Sequence, residues 1–349
     1  MLPDEILRQI ADELMCLPNC GSSILEISHR SIAFREIMSQ ANQALRELMG
    51  VPATHDILFL QGGSRLQFST VPLNLAIPGK AAGYAVTGVW SKMAADEARR
   101  MTNIQVVWNG EANRFSDLPT LDQLPLDADW SYLYLASNET IQGIQFRPIP
   151  VPISSPLVCD MSSDFLSRPI SVKDFSLLFA CAQKNAGVAG LTIVIVDRSR
   201  LQEVSAATPG YLNLQSHLQC ENLYNTPPTF AIYVLKLMVQ WIRDSFGDLA
   251  GVERENLAKS ALLYDVIDRH ANVYRGHAVR AARSAANVTF FLPTESDTTR
   301  FLDGAKRHAM TDLKGHRSLG GVRVSLYNAI PKSAVVQLSQ YMDDFARSI

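Results

Sequence analysis

Long apolar runs are missing from this 349-residue chain, and no stretch reaches the length of a membrane span. Excess charge of either sign is missing too. Lys and Arg number 32 against 34 Asp and Glu, a net of −2, which gives no electrostatic case for nucleic acid or an anionic membrane surface. Cysteine is scarce: there are five, and they are scattered. Cys16 and Cys20 stand four apart near a predicted helix end, and no second pair completes a zinc set. Free thiols suit a reducing compartment, so the chain is expected to be cytoplasmic. The start, Met1-Leu2-Pro3-Asp4-Glu5, lacks the basic opening of a secretory signal. Apolar residues are plentiful, 47% against 19% charged, the composition of a well-buried globular protein. The length predicts about two domains.

Periodicity predicts amphipathic helices over 3–15 and 33–49. Short apolar runs bounded by turn signals predict strands over 56–60, 83–86, 104–108, 132–135, 157–160, 175–180 and 191–196. Helical stretches fall between the first of these, over 66–75 and from Trp90 to about 101. Alternating strands and helices of this kind imply an α/β fold, a mostly parallel sheet with helices on both faces. An apolar helix follows over 230–246, and Gly247 to Gly251 is the best linker candidate. Beyond it the pattern changes to helix, strand, helix, strand, helix, which predicts a small α+β domain. The expected organisation is an N-terminal segment (1–15), a large domain (16–249) and a small domain (250–349).

The chemistry gathers around Cys181-Ala182-Gln183-Lys184-Asn185-Ala186-Gly187, a small-residue turn between two apolar strands. A lysine at the rim of a buried sheet is costly to desolvate unless it is paired or held as a Schiff base. It can also snorkel to solvent, and spacing alone does not decide. Gln61-Gly62-Gly63-Ser64-Arg65 runs from strand into helix, so free backbone N–H groups and the helix dipole converge on one spot suited to phosphate. Many α/β proteins use such a turn for packing only. Asp160 closes an apolar strand, which sets its carboxylate at the carboxyl edge where open sheets bind ligands. A helix N-cap is the plainer reading for Asp160 and for Thr140. Trp90 stands at a strand-to-helix junction, either as core or as a stacking platform. His29 and Arg30 precede a helix, in a cleft or in a solvated loop. Gly315-His316-Arg317 and Arg323 put two arginines and a histidine in a glycine-rich loop and strand, suited to gripping a carboxylate or phosphate, or simply solvated.

Together these groups describe one cofactor. Pyridoxal 5'-phosphate needs a lysine, an acid for its ring nitrogen, a donor nest for its phosphate and a flat partner for its ring. Lys184, Asp160, the Gly62–Arg65 turn and Trp90 match those needs.

The chain resembles the phosphoserine aminotransferases, a family of fold-type I, class V pyridoxal phosphate enzymes. The likeness rests on Ser28-His29-Arg30, Gln61-Gly62-Gly63-Ser64-Arg65-Leu66-Gln67-Phe68 and Ser137-Asn138-Glu139-Thr140-Ile141-Gln142-Gly143. It also rests on Asp160-Met161-Ser162-Ser163, Leu166-Ser167-Arg168-Pro169-Ile170, Ala182-Gln183-Lys184-Asn185, Asn225-Thr226-Pro227-Pro228-Thr229-Phe230 and Lys314-Gly315-His316-Arg317. The resemblance implies a seven-stranded sheet in the large domain. It implies that Lys184 joins the cofactor and then shuttles a proton, and that Asp160 pairs with the ring nitrogen. Trp90 would stack on the ring and Thr140 would bond its hydroxyl. Ser64, Arg65 and Gln183 would hold the phosphate, and Asn225 and Thr226 would reach it from a neighbouring subunit, making a homodimer with shared sites. Arg323 would clamp the substrate α-carboxylate. His29, Arg30, His316 and Arg317 would bind the distal anion.

The implied reaction is reversible transamination of O-phospho-L-serine with 2-oxoglutarate, giving 3-phosphohydroxypyruvate and L-glutamate. A further role on the phosphorylated threonine analogue of vitamin B6 synthesis is implied as well. Two departures stand out. The family's Asn-Phe…Gly-Pro-Ala segment, which precedes the equivalent of Leu2-Pro3 and carries a substrate contact, is not in this sequence. The nest reads Gly-Gly-Ser-Arg rather than the commoner Gly-Gly-Gly/Ala form. Two alternatives stay open: a related aminotransferase for another small amino acid, and a cofactor-binding homologue with impaired catalysis. Small molecules are the expected partners, with no nucleic acid, membrane or metal.

Overall fold

The structure is a computed structural model and describes residues 1–125, 128–150, 155–201 and 208–349. Helices α1 (Asp4–Met15) and α2 (Ile32–Met49) come first. Ser31 starts α2 by accepting from the Phe34 N–H, and Gly50 ends it at φ 62°, a left-handed position that suits a residue without Cβ. Strand β1 (His55–Gly62) feeds α3 (Ser64–Leu75), and β2 (Ala82–Val86) feeds α4 (Val89–Ala98). Then come β3 (Ile104–Asn109), β4 (Leu133–Ala136), the short pair β5 (Asn138–Glu139) and β6 (Ile144–Gln145), β7 (Leu157–Asp160), β8 (Leu177–Cys181) and β9 (Gly190–Asp197). Helices α5 (Leu214–Gln219), α6 (Thr229–Phe246) and α7 (Leu249–Arg269) lead into β10 (Arg275–Gly276), β11 (Asn287–Phe291), α8 (Glu295–Arg307), β12 (Val322–Ser325) and α9 (Lys332–Arg347).

Seven strands form one sheet in the order β1-β9-β8-β7-β4-β2-β3. Only β9 runs against the rest. The reason is length. Residues 182–189 join β8 to β9, too few for the crossover that a parallel return needs. Leu133, Leu135, Leu157 and Cys159 turn to the face covered by α2 and α6. Tyr134, Val158, Phe179 and Val194 turn to the face covered by α3 and α4. Burial on both faces explains why these strands read as continuous apolar runs.

A second sheet, β10-β11-β12, is antiparallel and packs with α7, α8 and α9 around Phe290, Phe301 and Met342. Helix α7 joins the two regions. Its Leu249 and Val252 enter the first core, and its Leu263, Val266 and Ile267 enter this one. The expected linker therefore shrinks from Gly247–Gly251 to Gly247 and Asp248. Asp248 caps α7 by accepting from Gly251 N at 2.7 Å, so the helix begins inside the predicted linker.

Lys259 of α7 is fully buried, and its ammonium donates to Tyr327 O at 3.0 Å and Ile330 O at 3.1 Å. Burial lowers its amine from 10.5 to about 8, against a smaller opposing pull from Glu255. Between those values the unfolded chain carries the extra proton, so this group's contribution to stability rises from about pH 8 to about pH 10.5 and is flat below. The Tm difference, wild type minus Lys259→Met, should therefore increase between pH 8 and pH 10. A pH-independent difference would contradict the burial effect.

Candidate active site

The six strands that run together end at one edge of the large sheet, and the chemistry collects there. The carboxyl ends of β1, β2, β4, β7 and β8 lead directly into Gly63, Thr87, Ser137, Met161 and Ala182. Ser64, Arg65, Trp90, Asp160, Gln183 and Lys184 line one cavity of about 340 Å³, together with Asn138, Ser162, Ser163 and Cys181. Six of the predicted residues thus meet in one place.

Gly62 takes φ 109°, a conformation that glycine adopts without strain. Gly63 then opens α3 with no side-chain cap, leaving the first backbone N–H groups of that helix free for an anion. A Cβ on Gly63 would meet no protein atom within 4 Å and would take up room at the cavity wall.

Asp160 is 7% exposed at the end of β7. Its Oδ1 accepts from Ser162 N at 2.8 Å. Burial raises its carboxyl above the usual range, and the Ser162 bonds and the Lys184 charge pull the other way. The Ser162 hydroxyl lies 2.5 Å from Ser64 Oγ and accepts from Cys181 N at 3.4 Å. One serine therefore joins the anion nest, the acid and the lysine strand. Lys184 is half-buried, its Nζ 5.9 Å from the centre of the Trp90 ring.

Trp90 is held from two sides. Its indole donates to Thr140 Oγ1 at 3.0 Å, which leaves the threonine hydroxyl proton for another acceptor. Its backbone N–H donates to Glu139 Oε2 at 3.0 Å. Glu139 Oε1 accepts from Ser91 N at 2.8 Å and from Ser91 Oγ at 2.7 Å. Glu139 is 1% exposed; burial raises its carboxyl, and the Ser91 and Trp90 donors oppose that rise. A carboxylate at the start of α4 also meets the positive end of the helix dipole. Sequence reasoning missed Glu139 because its partners lie 48 and 49 residues away. Gly88 is the nearest local signal: a Cβ there would collide with the Glu139 carboxyl. Gly88→Ala should destabilise the protein by about 1–3 kcal/mol and weaken cofactor retention, since Glu139 or Trp90 must move. Thermal unfolding and a cofactor titration check this; unchanged retention would contradict Glu139's positioning of Trp90.

The remaining predicted residues do not line this cavity within one chain. Asn225 Nδ2 donates to Gln61 Oε1 at 2.9 Å, and Gln61 Nε2 donates to Thr226 O at 2.8 Å. His29 and Arg30 sit in the turn before α2, with Arg30 exposed. His316 and Arg317 sit in a loop closed by the Gly315 N–H donating to Gly321 O at 2.8 Å. Burial, then the positive charges of Arg323 and Arg317, push the His316 imidazole below its usual value. Arg323 lies on β12 opposite Thr289, and its buried Nε has no partner among the described residues. Among those residues no group of His, Cys, Asp and Glu is arranged to hold a metal.

A lysine, a buried acid, free helix-start amides and a flat ring thus share one cavity at the carboxyl edge of this sheet, and the family model for class-V aminotransferases matches residues 1–338. The chain is 44% identical over 347 residues to phosphoserine aminotransferase of Rhodopirellula baltica, covering 99% of this chain and 92% of that protein. The phosphoserine aminotransferase structure from Bacillus circulans subsp. alkalophilus superposes with a TM-score of 0.97 at 39% identity, covering 100% of this chain and 96% of that one. The PLP-bound phosphoserine aminotransferase from Trichomonas vaginalis gives 0.93 at 38% identity, covering 98% and 97%. The chain belongs to the phosphoserine aminotransferase family.

Proposed function

We propose that this chain uses pyridoxal 5'-phosphate to exchange an amino group between O-phospho-L-serine and 2-oxoglutarate, yielding 3-phosphohydroxypyruvate and L-glutamate. The observation that carries the reading is the shared cavity of Lys184 and Asp160, walled by Trp90 and by the free amides at the start of α3. That donor set fits the cofactor: an amine, a buried carboxylate, an anion nest and a ring face. When bound, the cofactor supplies an aldehyde that captures amines and a ring that accepts an electron pair. The protein supplies the rest. Ser64, Arg65, Gln183 and the α3 amides bind the phosphate. Asp160 holds a proton at the ring nitrogen. Trp90 covers one ring face and excludes water there, and Thr140 donates its hydroxyl to the ring oxygen. Lys184 Nζ takes the proton from the substrate α-carbon.

Substrate recognition follows from charge. Arg323 binds the α-carboxylate in two-point fashion, and His29, Arg30, His316 and Arg317 bind the distal phosphate or carboxylate. A cluster that reads charge more than shape serves both partners of the exchange, and it admits the phosphorylated threonine analogue of vitamin B6 synthesis. Asn225 and Thr226 are held outside their own cavity by Gln61, which supports a homodimer in which they serve the neighbour's phosphate. The cofactor lies in a large domain (16–249), preceded by a segment (1–15) and completed by a small domain (250–349). The reaction takes place in the cytoplasm.

The test is a coupled assay that follows glutamate from O-phospho-L-serine and 2-oxoglutarate, run beside the absorbance of the purified protein with pyridoxal phosphate. Turnover with phosphoserine well above that with alanine supports the reading. Cofactor absorbance without turnover would leave a binder and sink the proposed activity.

A further inference from the structure

Two buried asparagines outside the proposed machinery tie its parts together. Asn185 follows Lys184 directly, and Asn328 lies five residues beyond Arg323; each is 4% exposed. Asn185 Oδ1 accepts from Asn328 N at 3.0 Å, and Asn185 Nδ2 donates to Phe165 O at 3.0 Å. Asn328 Nδ2 donates to Leu166 O at 2.8 Å, and its Oδ1 accepts from Asn256 Nδ2 at 2.9 Å. Leu166 takes φ 58°, a left-handed conformation disfavoured for a leucine, and the asparagine bonds hold the carbonyls on either side of it. Three segments therefore meet on one pair: the lysine turn, the stretch after Asp160 and the loop after β12. Each asparagine uses a donor and an acceptor at once, which neither aspartate nor leucine can do. The same loop is fixed on both sides of Asn328 by Lys259, whose ammonium bonds Tyr327 O and Ile330 O.

A substrate clamped by its α-carboxylate presents, one bond away, the α-carbon that carries its amino group and α-hydrogen. The distance from Arg323 to Lys184 then decides whether clamp and chemistry fit one molecule. We propose that Asn185 and Asn328 form a positioning pair that fixes that distance, setting α-carboxylate capture in register with proton transfer at Lys184. The proposal rests on the roles read above for Arg323 and Lys184.

The readout is the half-reaction of the holoenzyme with O-phospho-L-serine and with O-phosphoethanolamine, followed by cofactor absorbance in single turnovers. The second compound keeps the amine and the phosphate but lacks the α-carboxylate. The ratio of their kcat/KM values reports the carboxylate's contribution. Asn328→Ala removes the side-chain bonds to Leu166 O and Asn256, and Asn185→Ala removes the acceptor of the Asn328 N–H; each should lower this ratio by about tenfold or more, with the phosphoethanolamine rate nearly unchanged. A merely structural role would slow both substrates alike, and that result overturns the proposal, as does an unchanged ratio. Arg323→Gln provides the reference. A ratio that falls in Arg323→Gln but not in Asn328→Ala overturns the pair alone. A ratio that stays in Arg323→Gln overturns the role of Arg323 and the pair with it. If Asn328→Ala does not accumulate as holoenzyme, Asn256→Ala removes one bond to the Asn328 side chain and is judged by the same ratio.

Discussion

Lys184→Ala should lose turnover by about 10⁴-fold or more, since the roles proposed for its amine, covalent anchor and proton carrier, are lost together. The loss should not come from unfolding. The Lys184 side chain makes no hydrogen bond or ion pair with the described residues, and the turn around it is held by its backbone. Ala182 N donates to Leu191 O at 2.9 Å, and Ala186 N donates to Ala182 O at 3.0 Å. Gly187 and Gly190 take φ 148° and 101° and close the turn. Alanine keeps all of these, so the stability of the cofactor-free protein should change by no more than about 0.5 kcal/mol. Two measurements check the expectation: the coupled assay, and absorbance before and after borohydride. A covalent link to cofactor that survives in Lys184→Ala and is still reducible would mean that another amine does this work.

The site was legible where a strand end and its turn carry the chemistry in a few consecutive residues. Gly62-Gly63-Ser64-Arg65 and Ala182-Gln183-Lys184 are of this kind, and both line the cavity. Asp160 was legible because three apolar residues place it at a strand end. Glu139 was not, since its partners come from a helix start far along the chain and nothing in the run Ser137 to Thr140 marks a buried carboxylate. Ser162 is similar: its contacts to Ser64 and Cys181 exist only once β7, β8, β9 and β1 are assembled in one sheet. The linker was misread because glycine at 247 and 251 looks like a break, whereas the Asp248 cap and the buried Leu249 and Val252 start a helix there. Strands β5, β6 and β10 have two residues each, too short for any period to show. Asn225, Thr226 and the His-Arg turns are a separate case. Their residue types suggest anion binding, but nothing local says which cavity they serve.

Asp160→Asn should reduce kcat by about 10³-fold, the order seen when one preorganised electrostatic partner is removed. Asparagine has nearly the same shape, and its Oδ1 can still accept from Ser162 N, so the Ser64–Ser162 bridge to the anion nest should persist. It has no charge with which to hold a proton at a ring nitrogen. Stability should move the other way. Burial raises the Asp160 carboxyl, so the folded chain keeps a proton that the unfolded chain has given up. That group's contribution to stability is greatest at low pH and falls as pH rises from the ordinary value of 3.8 through the folded one. The cofactor-free Asp160→Asn protein should lack this decline and match or exceed the wild type in Tm at neutral pH. Asp160→Glu restores the charge but displaces it by about a bond length, and a misplacement of roughly 1 Å can cost about 10²-fold. Activity should therefore fall in the order Asp, Glu, Asn while stability does not. Turnover of Asp160→Asn within tenfold of the wild type would show that the ring nitrogen's proton is held elsewhere. Loss of activity matched by loss of Tm would mean that Asp160 supports the sheet edge rather than the chemistry.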